Sequence, residues 1–183
     1  ILDPSMGTGN FFATMPRSIR DKSELYGVEL DSVTGAIAKQ LHPNTHIEVR
    51  GFEEVPYQNN SFDLVLTNVP FGNFRIADKN YDKPYMIHDY FVKHSLDLVR
   101  DGGQVSIISS IGTMDKRTDN VLQEIKSSTH FLGGVRLPDT AFKKIAGTRV
   151  TTDLLFFQKD QAKNLHEEEL VFSGSIPVSY THL

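Results

Sequence analysis

Short apolar runs alternate along the chain with segments of helical period, a spacing that predicts βαβ units rather than a sandwich or a bundle. Residues 1–3, 25–29, 45–49, 62–67, 104–109, 131–136 and 151–158 read as seven strands, with helices over 10–19, 32–41, 87–99 and 117–127. In the third helix Ile87, Tyr90, Phe91, His94 and Leu98 follow the i, i+3, i+4 rule, and Gly102-Gly103 reads as its stop. The last two strands are joined by residues 137–150 without a helical pattern, which allows an antiparallel hairpin. The expected fold is therefore α/β: a doubly wound, mostly parallel seven-stranded sheet with an antiparallel last strand. No internal repeat or low-complexity tract interrupts it.

Composition narrows the function. The chain of 183 residues fits one domain, and 39% hydrophobic with 23% charged residues is an ordinary globular balance. There are no cysteines, which excludes disulfides, thiolate metal sites and a cysteine nucleophile such as methylation at cytosine C5 requires. A net charge of -4 is wrong for a protein that grips a phosphate backbone alone, so a nucleic-acid partner would need help from elsewhere. No apolar run approaches the ~20 residues that span a bilayer, and no leader pattern opens the chain, so no membrane role and a cytoplasmic location are expected. Two apolar residues before Asp3 are short for a strand, so the first strand is expected to be N-terminally truncated. A catalytic domain over 1–158 is expected to give way to a polar linker and a tail over 159–183, whose final residues from Pro177 resemble a translated adaptor scar.

Between the first strand and first helix lies Asp3-Pro4-Ser5-Met6-Gly7-Thr8-Gly9-Asn10-Phe11, at the strand end where open α/β sheets bind ligands. Gly7 and Gly9 permit close backbone approach. Asp3 is placed to meet a cationic or amine-bearing group. Twenty residues beyond Gly9, Glu29 ends the next strand, where an acid can hold two ribose hydroxyls, with Leu30 beside it. A lone Gly-x-Gly is a common turn; what distinguishes this block is strand, acid, loop, helix and second acid in order. Phe12 stands where a nicotinamide site wants a third glycine, and no Gly-Lys-Ser or Gly-Lys-Thr marks a P-loop.

After the fourth strand comes Asn68-Val69-Pro70-Phe71-Gly72. It resembles the Asn/Asp-Pro-Pro-Tyr/Phe motif of amino-methyltransferases, and with the first block, in this order, the gamma arrangement of N6-adenine DNA methyltransferases. With Ile87-His88-Asp89-Tyr90-Phe91, Arg136-Leu137-Pro138 and Ala141-Phe142, the chain from Ile1 to about Lys159 resembles the methylase part of plasmid and phage helicase-methylase fusions. The resemblance implies a Rossmann-like class I methyltransferase fold, S-adenosylmethionine held by the first block, and a DNA substrate whose adenine is flipped from the duplex. It also implies restriction-modification, fused or associated target-recognition and helicase domains, and a bacterial, plasmid or phage origin.

The chemistry explains those residue types. The adenine amine is a poor nucleophile while its lone pair is delocalised into the ring, and acceptors that hold its protons favour a pyramidal nitrogen. By resemblance the Asn68 side-chain oxygen and the Val69 carbonyl are those acceptors, Pro70 completes the turn and Phe71 stacks on the base. Positioning accounts for most of the rate, and no metal is needed. Val69 departs from the family's usual proline, which removes stiffness but keeps the carbonyl. Gly51-Phe52-Glu53 reads two ways: as the apolar and acidic neighbours of the cofactor adenine, or as a core Phe52 with a solvated Glu53.

His88-Asp89 has no further ligands at metal-site spacing, so no metal is expected. Arg75, Lys79 and Lys83 with Tyr81 read either as a mobile loop over the substrate or as a solvated connection, and Lys143, Lys144 and Arg149 as a solvated basic cluster. Two other functions use the same residues: an amino-methyltransferase for a protein glutamine or an RNA base, and a non-catalytic cofactor-binding module of a helicase fusion.

Overall fold

The computed structural model describes residues 1–110, 120–138, 140 and 151–162, with the backbone alone for 120–122. Ala141, Phe142, Lys143, Lys144, Arg149 and the tail from 163 lie outside the described residues. Seven strands form one sheet: β1 (Leu2–Asp3), β2 (Tyr26–Glu29), β3 (His46–Val49), β4 (Phe62–Asn68), β7 (Val99–Ser110), β8 (Thr129–Leu137) and β9 (Thr152–Lys159). Their order is β3-β2-β1-β4-β7-β9-β8. The first five run parallel, and β9 is antiparallel to both neighbours, β7 and β8. The expected hairpin is present, yet its second strand is inserted between β7 and β8.

Helix α3 (Ser32–Leu41) has the expected bounds because Asp31 caps it, accepting from the Thr34 N–H at 2.7 Å. The helix expected over 10–19 is instead two, α1 (Asn10–Thr14) and α2 (Arg17–Arg20), with Met15 and Pro16 extended between them. The cause is Pro16, which pushes the residue before it out of helical backbone. Helix α4 (Ile87–Leu98) ends at Val99, before Gly102-Gly103. That pair is no helix stop; it lies inside β7, where pairing with β4 shifts register between Phe62 and Leu64. An additional two-stranded ribbon, β5 (Arg75–Ile76) with β6 (Tyr85–Met86), folds the segment after the catalytic motif back on itself. Helix α5 (Asn120–Ser128) precedes β8.

The main core joins Leu2, Val65, Val105 and Ile107 of the sheet to Tyr90, Phe91, Leu96 and Leu98 of α4. A smaller cluster of Met6, Phe12, Leu25 and Ala38 underlies the first loop, where burying Phe12 alone stabilises by roughly 1.5–3 kcal/mol. Lys159, expected to open the linker, is the last residue of β9. Its ammonium donates to Asn60 Oδ1 at 2.8 Å and to the Val99 carbonyl at 2.9 Å, which draws it inward. No described helix is long and apolar enough to cross a membrane.

Candidate active site

β1 and β4 are neighbours, so the loops leaving their carboxyl ends open side by side. The first loop turns on two glycines in left-handed backbone, Gly7 (φ 56°) and Gly9 (φ 88°). Gly9 has a second reason to be glycine: a Cβ there would overlap the His42 ring. That ring's Nε2 lies 3.0 Å from the Thr8 carbonyl and secures the loop to the end of α3, a role the sequence did not signal. Met6 N–H donates to the Val28 carbonyl at 2.9 Å, and Pro4 is buried beneath the turn. Asn10 is exposed and Phe11 half-buried at the start of α1.

The two acids of this block differ in environment. Glu29 accepts from two loop N–H groups, Gly7 at 2.9 Å and Asp31 at 2.8 Å, so it ties the first loop to the tip of β2. Leu30 beside it is 76% exposed. Asp3 is 1% exposed. One of its oxygens accepts from the Ser5 N–H at 3.2 Å, while Oδ2 is buried without a hydrogen-bond partner among the described residues. Burial pushes its carboxyl up to about 7; the Ser5 N–H and the Thr67 hydroxyl pull the other way, and the Glu29 charge adds slightly to the rise.

On the neighbouring strand, β4 ends at Asn68, whose Oδ1 is also buried without a partner among the described residues. Val69 is buried and its N–H donates to the Ile108 carbonyl of β7 at 2.9 Å. Pro70 is exposed and Phe71 is 47% exposed. Val69, Pro70, Phe71, Gly72, His88, Ser109 and Ser110 line a cavity of about 200 Å³. His88, Ser109 and Ser110 were not read as site residues; they reach it from α4 and β7, which no local motif reveals.

Ser5 joins the two loops. Its hydroxyl donates to the Asn68 carbonyl at 2.7 Å and lies 2.7 Å from the Thr67 hydroxyl. The loop after β1 and the end of β4 are therefore in direct contact. Phe52, 3% exposed, packs against Phe91 and His94 with ring centroids 5.1 and 4.5 Å away. Glu53 is half-buried beside it.

The segment read as a mobile loop or a solvated connection is held down from beneath. Tyr81 donates to Asp97 Oδ2 at 2.6 Å and lies 3.0 Å from His94 Nδ1, while Tyr90 donates to the buried Asp78 at 2.7 Å. Burial lowers the His94 pKa, against the pull of Asp78 and Asp97. Arg75, Lys79 and Lys83 remain on the outer side. His88 and Asp89 contact each other at 3.6 Å, and no group of three metal-ligating side chains gathers among the described residues.

A seven-stranded sheet in this order, parallel but for one reversed strand and with the loops after β1 and β4 side by side, defines the class I S-adenosylmethionine-dependent methyltransferase fold. A Listeria monocytogenes structure assigned to that class superimposes with a TM-score of 0.71 at 19% identity, covering 89% of this chain and 54% of the other. Within the class, residues 1–175 match the N-6 DNA methylase family model, and the chain belongs to that family. It is 32% identical over 182 residues to the Defense against restriction protein B of Escherichia phage P1, covering 96% of this chain and 8% of the relative. It is 24% identical over 197 residues to the type I restriction enzyme EcoEI methylase subunit of Escherichia coli, covering 88% of this chain and 38% of the relative. The chain thus spans less than half the length of either.

Proposed function

We propose that this chain is the catalytic core that transfers a methyl group from S-adenosylmethionine to the N6 amine of adenine in DNA. The observation that carries the reading is the pair of buried, unpartnered acceptors, Asp3 Oδ2 and Asn68 Oδ1, on neighbouring strand tips. A buried acceptor without a donor is costly, and each is suited to a group that arrives with a ligand. Asp3 suits the cationic methionine part of the cofactor. Glu29, with lone pairs beyond those given to Gly7 and Asp31, suits the ribose hydroxyls, and Leu30 and Glu53 would meet the cofactor adenine. When bound, the cofactor supplies an electrophilic sulfonium methyl.

The chain's own residues prepare the nucleophile. Asn68 Oδ1 and the Val69 carbonyl accept the two amine protons, drawing the lone pair out of conjugation. Val69 can offer only its carbonyl, because its N–H serves Ile108. Phe71, half exposed in the cavity lining, offers its ring to the flipped base. The chain's net charge of -4 favours a DNA grip supplied by fused or associated target-recognition and helicase domains. Relatives from a phage and a bacterium support a cytoplasmic setting.

The test is transfer of tritiated methyl by the complete parent protein, offered DNA, RNA and protein together. Label at adenine N6 of DNA, lost in Asn68→Ala, is the expected result. Label only in protein glutamine or RNA would reassign the substrate, and tight cofactor binding with no label anywhere would make the domain a non-catalytic module.

A further inference from the structure

The peptide group joining Asn68 to Val69 is gripped at both polar ends by different parts of the fold. Its oxygen accepts from Ser5 Oγ of the cofactor loop at 2.7 Å, and its N–H donates to the Ile108 carbonyl of β7 at 2.9 Å. Two opposed hydrogen bonds on one planar unit fix its rotation. That rotation sets both where the Asn68 side chain leaves the strand and where the next carbonyl, Val69, points. Ser5 has a single hydroxyl proton, and the carbonyl can only accept, so the proton is committed to Asn68. The Thr67 hydroxyl, 2.7 Å away, then faces the lone-pair side of Ser5 Oγ, its one proton divided between that oxygen and the Asp3 carboxyl. Thr67 is fully buried.

We infer that Ser5 is a positioning residue for methyl transfer, oriented by Thr67, which locks the Asn68–Val69 peptide to the cofactor loop. The inference rests on the reading of Asn68 and Val69 as the amine acceptors. It changes the role of Ser5 from a cofactor contact to a strut between the two half-sites. It also accounts for Val69: a proline there would stiffen the turn but could not donate to Ile108, whereas valine extends the ladder by one bond and obtains rigidity from β7 instead.

The experiment uses the complete parent protein with Ser5→Ala, Thr67→Val and Thr67→Ser. Expected is a fall in kcat of roughly 10- to 100-fold for Ser5→Ala with cofactor Kd unchanged, and a fall in kcat for Thr67→Val that Thr67→Ser, which keeps the hydroxyl, restores. Hydrogen–deuterium exchange of the peptide spanning residues 64–72 should speed up in Ser5→Ala with no DNA or cofactor present. Unchanged kcat, or a cofactor Kd that rises as much as kcat/KM falls, would overturn the assignment, the latter returning Ser5 to the cofactor's contacts. Should wild type prove inactive on every substrate, the proposed function fails, while exchange still decides whether the strut exists: unchanged protection in Ser5→Ala refutes it. If Ser5→Ala does not fold, Thr67→Val against Thr67→Ser carries the same comparison.

Discussion

Asp3→Asn replaces a buried carboxyl by a neutral group of the same shape, and its consequences can be worked from one number. Burial lifts the Asp3 pKa from 3.8 to about 7, a gap that corresponds to roughly 4 kcal/mol between the protonation states. A carboxyl whose folded pKa lies above its unfolded one favours the folded state fully below pH 4 and loses that contribution as pH rises to 7. Cofactor-free protein should therefore lose stability from Asp3 across pH 4 to 7 and level off above, and Asp3→Asn should flatten that slope. The cofactor reverses the preference, since its cationic part favours the carboxylate. Binding below pH 7 must expel the proton, so the Kd at pH 6 should exceed that at pH 8 by about 10-fold. Calorimetry in two buffers of different ionisation enthalpy measures this directly, with about one proton released per cofactor at pH 6 and almost none at pH 8. Asp3→Asn should bind weakly and without proton release. A wild-type Kd that is flat between pH 6 and 8, with no buffer dependence, would refute the reasoning.

Three further perturbations follow from the same geometry. Gly9→Ala forces a side chain into left-handed backbone and against the His42 ring, and should cost about 1–2 kcal/mol from the backbone alone; adding His42→Ala in urea denaturation should relieve the overlap but not that part. Tyr90→Phe leaves buried Asp78 Oδ2 without its donor and should cost roughly 1–3 kcal/mol, read as a shifted denaturation midpoint at unchanged slope. Phe71→Ala removes the stacking ring and should weaken binding of an unpaired adenine by about 1–3 kcal/mol while cofactor affinity stays constant, measured by fluorescence titration with a short single strand.

The buried network under the β5–β6 ribbon bears on how the site is held. Tyr81, Asp78 and Tyr90 connect the segment after Phe71 to α4, and α4 also carries His88 to the cavity wall. The basic residues of that ribbon are thus displayed from an anchored base, and a contact with phosphates would involve little ordering of its backbone.

Local chemistry was legible in the chain itself. Alternation of apolar runs marked the seven strands of the main sheet, and the spacing of Asp3, the glycines, Glu29 and Asn68 marked the two loops, because each of these signals is carried within a few residues. Pro16 was legible too, and its break in the first helix follows from a one-residue steric rule. Tertiary structure decided the remainder. The insertion of β9 between β7 and β8, the burial of Phe52 under α4, and the arrival of His88 and Ser109 at the cavity depend on which strands lie side by side. The contact of Ser5 with Thr67 and Asn68 spans more than sixty residues of chain. No periodicity encodes such a distance: it exists only because β1 and β4 pair in parallel, which brings the Ser5 hydroxyl leaving one strand tip onto the main-chain carbonyl at the tip of the next.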